Sequence, residues 1–171
     1  MGVSGAGKTT VGGLLAERLG WDFAEGDDLH PAVNVAKMFA GIPLTDEDRW
    51  PWLDRVATWI RTRTAAGIPG IITCSALKRI YRDKLSGNNV VFVHLVGDRY
   101  IIAERVARRV DHFIPASLLD SQIAVLEPTQ SDENAVSLVA GRDPVEDAAE
   151  IGRRLGLTPS PREAAEAPSR E

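Results

Sequence analysis

Gly2-Val3-Ser4-Gly5-Ala6-Gly7-Lys8-Thr9 carries glycine, glycine, lysine and threonine at the spacing G-x-x-x-x-G-K-[ST]. Glycines let successive backbone N–H groups turn inward around an anion, a lysine at this place reaches the outer phosphates, and a hydroxyl next to it suits Mg2+. The helix that begins here adds its positive N-terminal end to the same anion. Gly2, Ser4, Gly5, Ala6, Gly7, Lys8, Thr9 and Thr10 are therefore the candidate nucleotide contacts, with Thr9 as the candidate metal ligand.

Other reactive side chains lie further along. Glu25-Gly26-Asp27-Asp28-Leu29-His30-Pro31 follows a short apolar segment. Carboxylates just past the C-terminal end of a strand sit over the ligand crevice of an α/β fold. As plain structure, Asp27 and Asp28 would instead cap the helix after Pro31. Lys78, Arg79 and Arg82 put three cations within five residues past another strand, a pattern for anion binding or for solvated surface. Arg105 and Arg109 stand four apart on one helix face, ahead of a loop at 110–115 that suggests a flap able to close over phosphates. Arg49 alone reads as a surface charge.

The elements that must position these groups alternate. Val11, Leu14, Leu15 and Leu19 give the first helix, over 8–19, an apolar face, and the cost of Gly12 and Gly13 in it implies close packing on a sheet. Strands are predicted at 21–24, 70–74, 90–96 and 135–139. Helices are predicted from Pro31 to Phe39 or Ala40, from Thr45 to about Thr64, after Lys78, over 100–109, over 116–126 and over 144–155. Thr45-Asp46-Glu47-Asp48 has the form of a capping box, and Leu53, Val56, Ala57 and Ile60 form the buried side of the helix it opens. Nearly continuous apolar strands between helices imply a parallel sheet covered on both faces, a three-layer α/β sandwich of the P-loop NTPase type. The phosphate loop should follow a central strand, and that strand is expected to precede Met1, with the natural start upstream.

Size and charge narrow the classes. The chain has 171 residues, 44% of them hydrophobic, enough for one domain with a real core. That domain is expected over 1–157, with a lid at about 105–125, and the Pro- and Ala-rich stretch 158–171 is expected to be disordered. A net charge of -4 argues against nucleic acid as the main partner. The longest apolar run, 90–96, is broken by His94 and is too short to cross a bilayer. Cys74 is the only cysteine, which excludes an internal disulfide and fits a reducing cytoplasm. It reads as a small core residue, as does His94.

A phosphate loop at a strand end places ATP at the crevice, and phosphoryl transfer then needs Mg2+, positive charge on the moving group and a carboxylate for the acceptor's proton. No aspartate ends the strand at 70–74, so Mg2+ is left to Thr9, phosphate oxygens and water, with Asp27 acting through water. The chain resembles the small P-loop gluconate kinases, a family related to shikimate kinase. The resemblance rests on the phosphate loop, Gly26-Asp27-Asp28-Leu29-His30-Pro31, Lys37-Met38, the segment from Gly41 to Arg49, Pro51-Trp52-Leu53, Cys74-Ser75-Ala76-Leu77-Lys78, Tyr81-Arg82-Asp83, His112-Phe113, Ser121-Gln122 and Leu126-Glu127. It implies a nucleoside- and shikimate-kinase-like fold with a small helical lid. It also implies ATP- and Mg2+-dependent phosphorylation of D-gluconate at its terminal hydroxyl, and a homodimer. By the same resemblance Asp27 orients and deprotonates the hydroxyl, and Lys8, Arg105 and Arg109 act on the phosphates. Arg49, Lys78 and Arg82 hold the carboxylate, His30 and Gln122 hold hydroxyls, and His112 belongs to the lid. Val110-Asp111 departs from the family by placing a carboxylate in the flap. Other readings are a kinase for shikimate or a nucleoside monophosphate, and a nucleotide-binding module without turnover.

Overall fold

The computed structural model describes residues 1–97, 102, 116–140 and 143–160. In chain order the elements are α1 (Lys8–Leu19), β1 (Asp22–Glu25), a 3-10 turn (Gly26–Leu29), α2 (Ala32–Phe39), α3 (Asp46–Ala66), β2 (Gly70–Thr73), α4 (Arg79–Leu85), β3 (Phe92–Gly97), α5 (Ala116–Val125), β4 (Ala135–Ala140) and α6 (Pro144–Arg154). Each lies within about two residues of its expected ends, because apolar periodicity and caps fix both. Thr45 and Asp48 exchange the two capping-box hydrogen bonds at the start of α3. Trp52, Leu53, Val56 and Ala57 are its buried face.

Among the described residues all strand pairing is parallel. β1 pairs with β2 from Asp22–Gly70 to Glu25–Thr73, and β3 pairs with β4 from Phe92–Ala135 to Gly97–Ala140. One core cluster joins Val11, Leu15 and Leu19 of α1 to Ala148 and Ile151 of α6, and a second joins α3 to Tyr81 and Leu85 of α4. Each cluster is a core between helices and strands, with Leu95 and Leu138 in the first and Ile72 and Phe92 packed against the second.

The two strand pairs do not touch as ladders. Between them, Met1 accepts a hydrogen bond from Leu95 N (3.0 Å) and Gly2 N donates to Ser75 O (3.2 Å). Behind these two residues lies a cavity of about 580 Å³, walled by β2, β3, α1, α3 and α6. This cavity separates the β1–β2 pair from the β3–β4 pair.

Two expectations need correction. A Cβ on Gly12 would stand 3.1 Å from the Phe23 ring and 3.3 Å from Thr73, so Gly12 does pack on the sheet, whereas one on Gly13 would meet nothing within 4 Å. The stretch 158–160 is placed against α1, with Ser160 N donating to Arg18 O at 2.8 Å, so the expected disordered tail does not begin at Thr158. No described helix is long and apolar enough to cross a membrane.

Candidate active site

The loop at 2–7 and the first turn of α1 form one wall of the site. Gly5 and Gly7 take φ of 80° and 94°, a region that L side chains rarely adopt, and so bend the loop back on itself. Lys8 Nζ crosses the loop to Val3 O at 3.0 Å. Thr9 Oγ1 donates to Glu25 Oε2 at 2.6 Å, and the other Glu25 oxygen accepts from the Thr73 hydroxyl. Glu25 ends β1 and Thr73 ends β2, so a carboxylate of the neighbouring strand stands beside Thr9 where β2 itself has none. Sequence reasoning passed over Glu25, although the rule that singled out Asp27 applied to it equally.

Gly26 sets the next step. A Cβ there would stand 2.0 Å from Thr73 O, so only glycine lets β1 end this close to β2. Its carbonyl accepts from Trp52 Nε1 at 2.7 Å and its N–H donates to Thr73 Oγ1 at 3.3 Å. The following turn thereby carries Asp27 to the cleft. Asp27 and Asp28 do not cap α2, whose N-cap is Pro31 without a side-chain bond.

The structure brings Ser4, Lys8, Asp27, His30, Arg49 and Gln122 onto one narrow cleft of about 50 Å³, closed by Trp52, Ser75 and Ser121. The larger cavity between the strand pairs is walled mainly by apolar side chains and contains none of these carboxylates. We therefore place the chemistry in the smaller one. Gln122 of α5 grips the phosphate loop, accepting from Ser4 N at 2.7 Å and donating to Ser4 Oγ at 3.1 Å. Arg49 donates to Leu44 O at 2.6 Å and lies 4.0 Å from Asp46. Burial, with Arg49 and Arg55 nearby, pushes the His30 pKa down to about 4, so the ring is neutral at pH 7.

Two expected substrate contacts are elsewhere. Lys78 Nζ is bonded to both carboxylate oxygens of Asp46 at 2.7 and 2.8 Å and is not among the residues lining the cleft. The Lys78 and Tyr81 hydrogen bonds hold the Asp46 carboxyl below its usual range. Arg82 is 1% exposed, paired with Glu133, and donates to the carbonyls of Ala76, Leu77, Glu127 and Pro128. It is a clamp on the loops behind the site. Arg79, the third cation, is engaged by Asp83 and Asp132. Each cation of the cluster here meets a carboxylate that the linear sequence holds at a distance. Cys74 is a core residue whose thiol is pushed up to about 12 by burial, and His94 is buried in β3. Arg105, Arg109, Asp111 and His112 lie outside the described residues.

Among the described residues no group of three or more His, Cys, Asp or Glu could hold a metal. The Thr9 hydroxyl beside the Glu25 carboxylate does offer the oxygen donors Mg2+ takes, with phosphate oxygens and water to complete the shell.

The chain matches the family model described as shikimate kinase over residues 4–114. It is 51% identical over 146 residues to a gluconokinase of Gluconobacter oxydans, covering 84% of this chain and 82% of the relative. Among solved structures, an unliganded sugar kinase from Janibacter superposes with a TM-score of 0.86 at 47% identity, covering 92% of each chain. A gluconokinase from Sinorhizobium meliloti superposes with a TM-score of 0.76 at 42% identity, covering 91% of this chain and 93% of that one.

Proposed function

The chain belongs to the shikimate kinase family, among its gluconokinases, and from that premise we propose that its cleft transfers the γ-phosphoryl group of ATP to the terminal hydroxyl of D-gluconate. The observation that carries the reading is that Lys8, Asp27 and Arg49 line one cleft beside the phosphate loop. Phosphoryl transfer needs an electrophile held in line, a base for the incoming hydroxyl and positive charge where negative charge collects.

In this reading the loop N–H groups and Lys8 hold the phosphates, and Asp27 accepts the proton of the hydroxyl as its oxygen bonds to the γ-phosphorus. The bond from that phosphorus to the bridging oxygen of ADP breaks, leaving ADP and 6-phosphogluconate. Arg49 pairs with the substrate carboxylate at the far end, which fixes which hydroxyl meets Asp27. Thr9 and Glu25 would hold Mg2+, which neutralises charge on the phosphates when bound. Arg105, Arg109 and His112 keep their place in the proposed lid. We place the enzyme in the cytoplasm as a homodimer, and sedimentation of the purified protein reads the assembly.

A panel of D-gluconate, shikimate and nucleoside monophosphates with coupled ADP detection tests the reading. ADP release dependent on gluconate is the expected result. Release with another acceptor instead, or ATP binding with no release, would overturn it.

A further inference from the structure

His30 lies flat against the Trp52 indole, with ring centroids 4.3 Å apart and planes inclined by 12°. Trp52 is itself fixed, being 1% exposed and bonded through Nε1 to Gly26 O. The stack sets the plane of the imidazole but not the position of its proton. That position is decided by Asn34, one turn into α2 and 1% exposed.

Asn34 Nδ2 donates to Asp48 O at 2.7 Å and lies 3.3 Å from His30 Nδ1. A backbone carbonyl only accepts, so the amide cannot be turned to face Asp48 with its own oxygen. A carboxamide nitrogen has two hydrogens and only donates, so its second contact makes His30 Nδ1 the acceptor. A neutral imidazole carries one proton, which is then on Nε2. The low pKa of His30 keeps the ring in this neutral form at pH 7.

We propose that Asn34 is a positioning residue that locks His30 as the Nε2–H tautomer, so that His30 offers the cleft a hydrogen-bond donor and no base. A substrate hydroxyl near His30 is then recognised through its oxygen lone pair, and its own proton is left for another acceptor. The assignment of that oxygen to gluconate rests on the function proposed above, while the tautomer does not. The lock also leaves Asp27 as the base on the cleft wall.

The test begins with 15N-histidine-labelled protein at pH 7 without ligands. Long-range 1H–15N correlations distinguish the tautomers, and His30 is identified among the three histidines by the signals lost in His30→Gln. The Nε2–H pattern is expected in the wild type. Asn34→Asp, which keeps the shape and replaces the donor by an acceptor, should move the proton to Nδ1 and so take the Nε2–H donor out of the cleft. It should raise the gluconate KM about ten-fold while leaving the ATP KM in place. His30→Gln sets its amide N–H near the Nε2 position and should keep the gluconate KM within about three-fold of wild type, where His30→Ala loses about ten-fold. An Nδ1–H pattern in the wild type, or His30→Gln failing as badly as His30→Ala, would overturn the proposal. The Nε2–H pattern in a protein that turns over no gluconate would support the lock and sink the substrate reading alone.

Discussion

Between Gly2 and Thr9 the chain builds its phosphate wall from eight consecutive residues, and largely from backbone. The facing wall draws Asp27 from the 3-10 turn, His30 from the residue after it, Arg49 from α3 and Gln122 from α5. The phosphate wall takes its shape from local properties, glycine dihedrals and a helix N-terminus, with Gln122 and Glu25 bracing it from outside. Each group on the facing wall depends on a neighbour: Asp27 on the Gly26–Thr73 approach, His30 on Trp52 and Asn34, Arg49 on Leu44 and Asp46. A binding wall assembled from side chains is only as precise as the contacts behind it, and those contacts can be broken one at a time.

The largest effect is expected at the meeting point of the two walls. Asp27→Asn should lower kcat by about 10²- to 10⁴-fold with the ATP KM unchanged, as steady-state kinetics will read. Unchanged turnover would remove Asp27 as the base. Next comes the clamp behind the facing wall. Arg82→Ala leaves Glu133 buried without its partner and should cost about 3–5 kcal/mol in urea unfolding, while folded protein at low temperature keeps both KM values. A selective rise in gluconate KM would return Arg82 to the substrate.

Arg49→Ala sharpens the contrast between the walls. Losing one charge-assisted contact should raise the gluconate KM about ten- to hundred-fold and leave ATP alone. Equal loss for both substrates would mean that the walls are not separable.

The smallest effect concerns pH. The His30 pKa is lowered from 6.5 to about 4 in the folded protein, so between those values the unfolded chain binds more protons. Stability should therefore be fully present above pH 6.5 and fall as pH drops towards 4. His94 shifts in the same direction, so the difference in urea midpoint between wild type and His30→Gln isolates the His30 share. A difference that does not change with pH would contradict the burial of the ring.

Much of this was legible in the residues. The alternation of elements, the capping box at Thr45 and the core face of α3 followed from periodicity and caps. Asp27 followed from its place past a strand end. The partners of the cation cluster after β2 were not legible, because charge and position in the chain show none. Asp46 lies 32 residues from Lys78 and Glu133 lies 51 from Arg82, and only folding brings them within bonding distance.

Residue order was enough for the phosphate loop and the parallel α/β frame, since both follow from spacings that act within a few residues. Which charges face the cleft and which pair with one another was set by folding. Folding also supplied the Glu25 carboxylate beside Thr9 and assigned the proton on His30. Those outcomes depend on distances of about 3 Å between groups far apart in the chain, a scale that hydrogen bonds and ion pairs resolve and residue order does not.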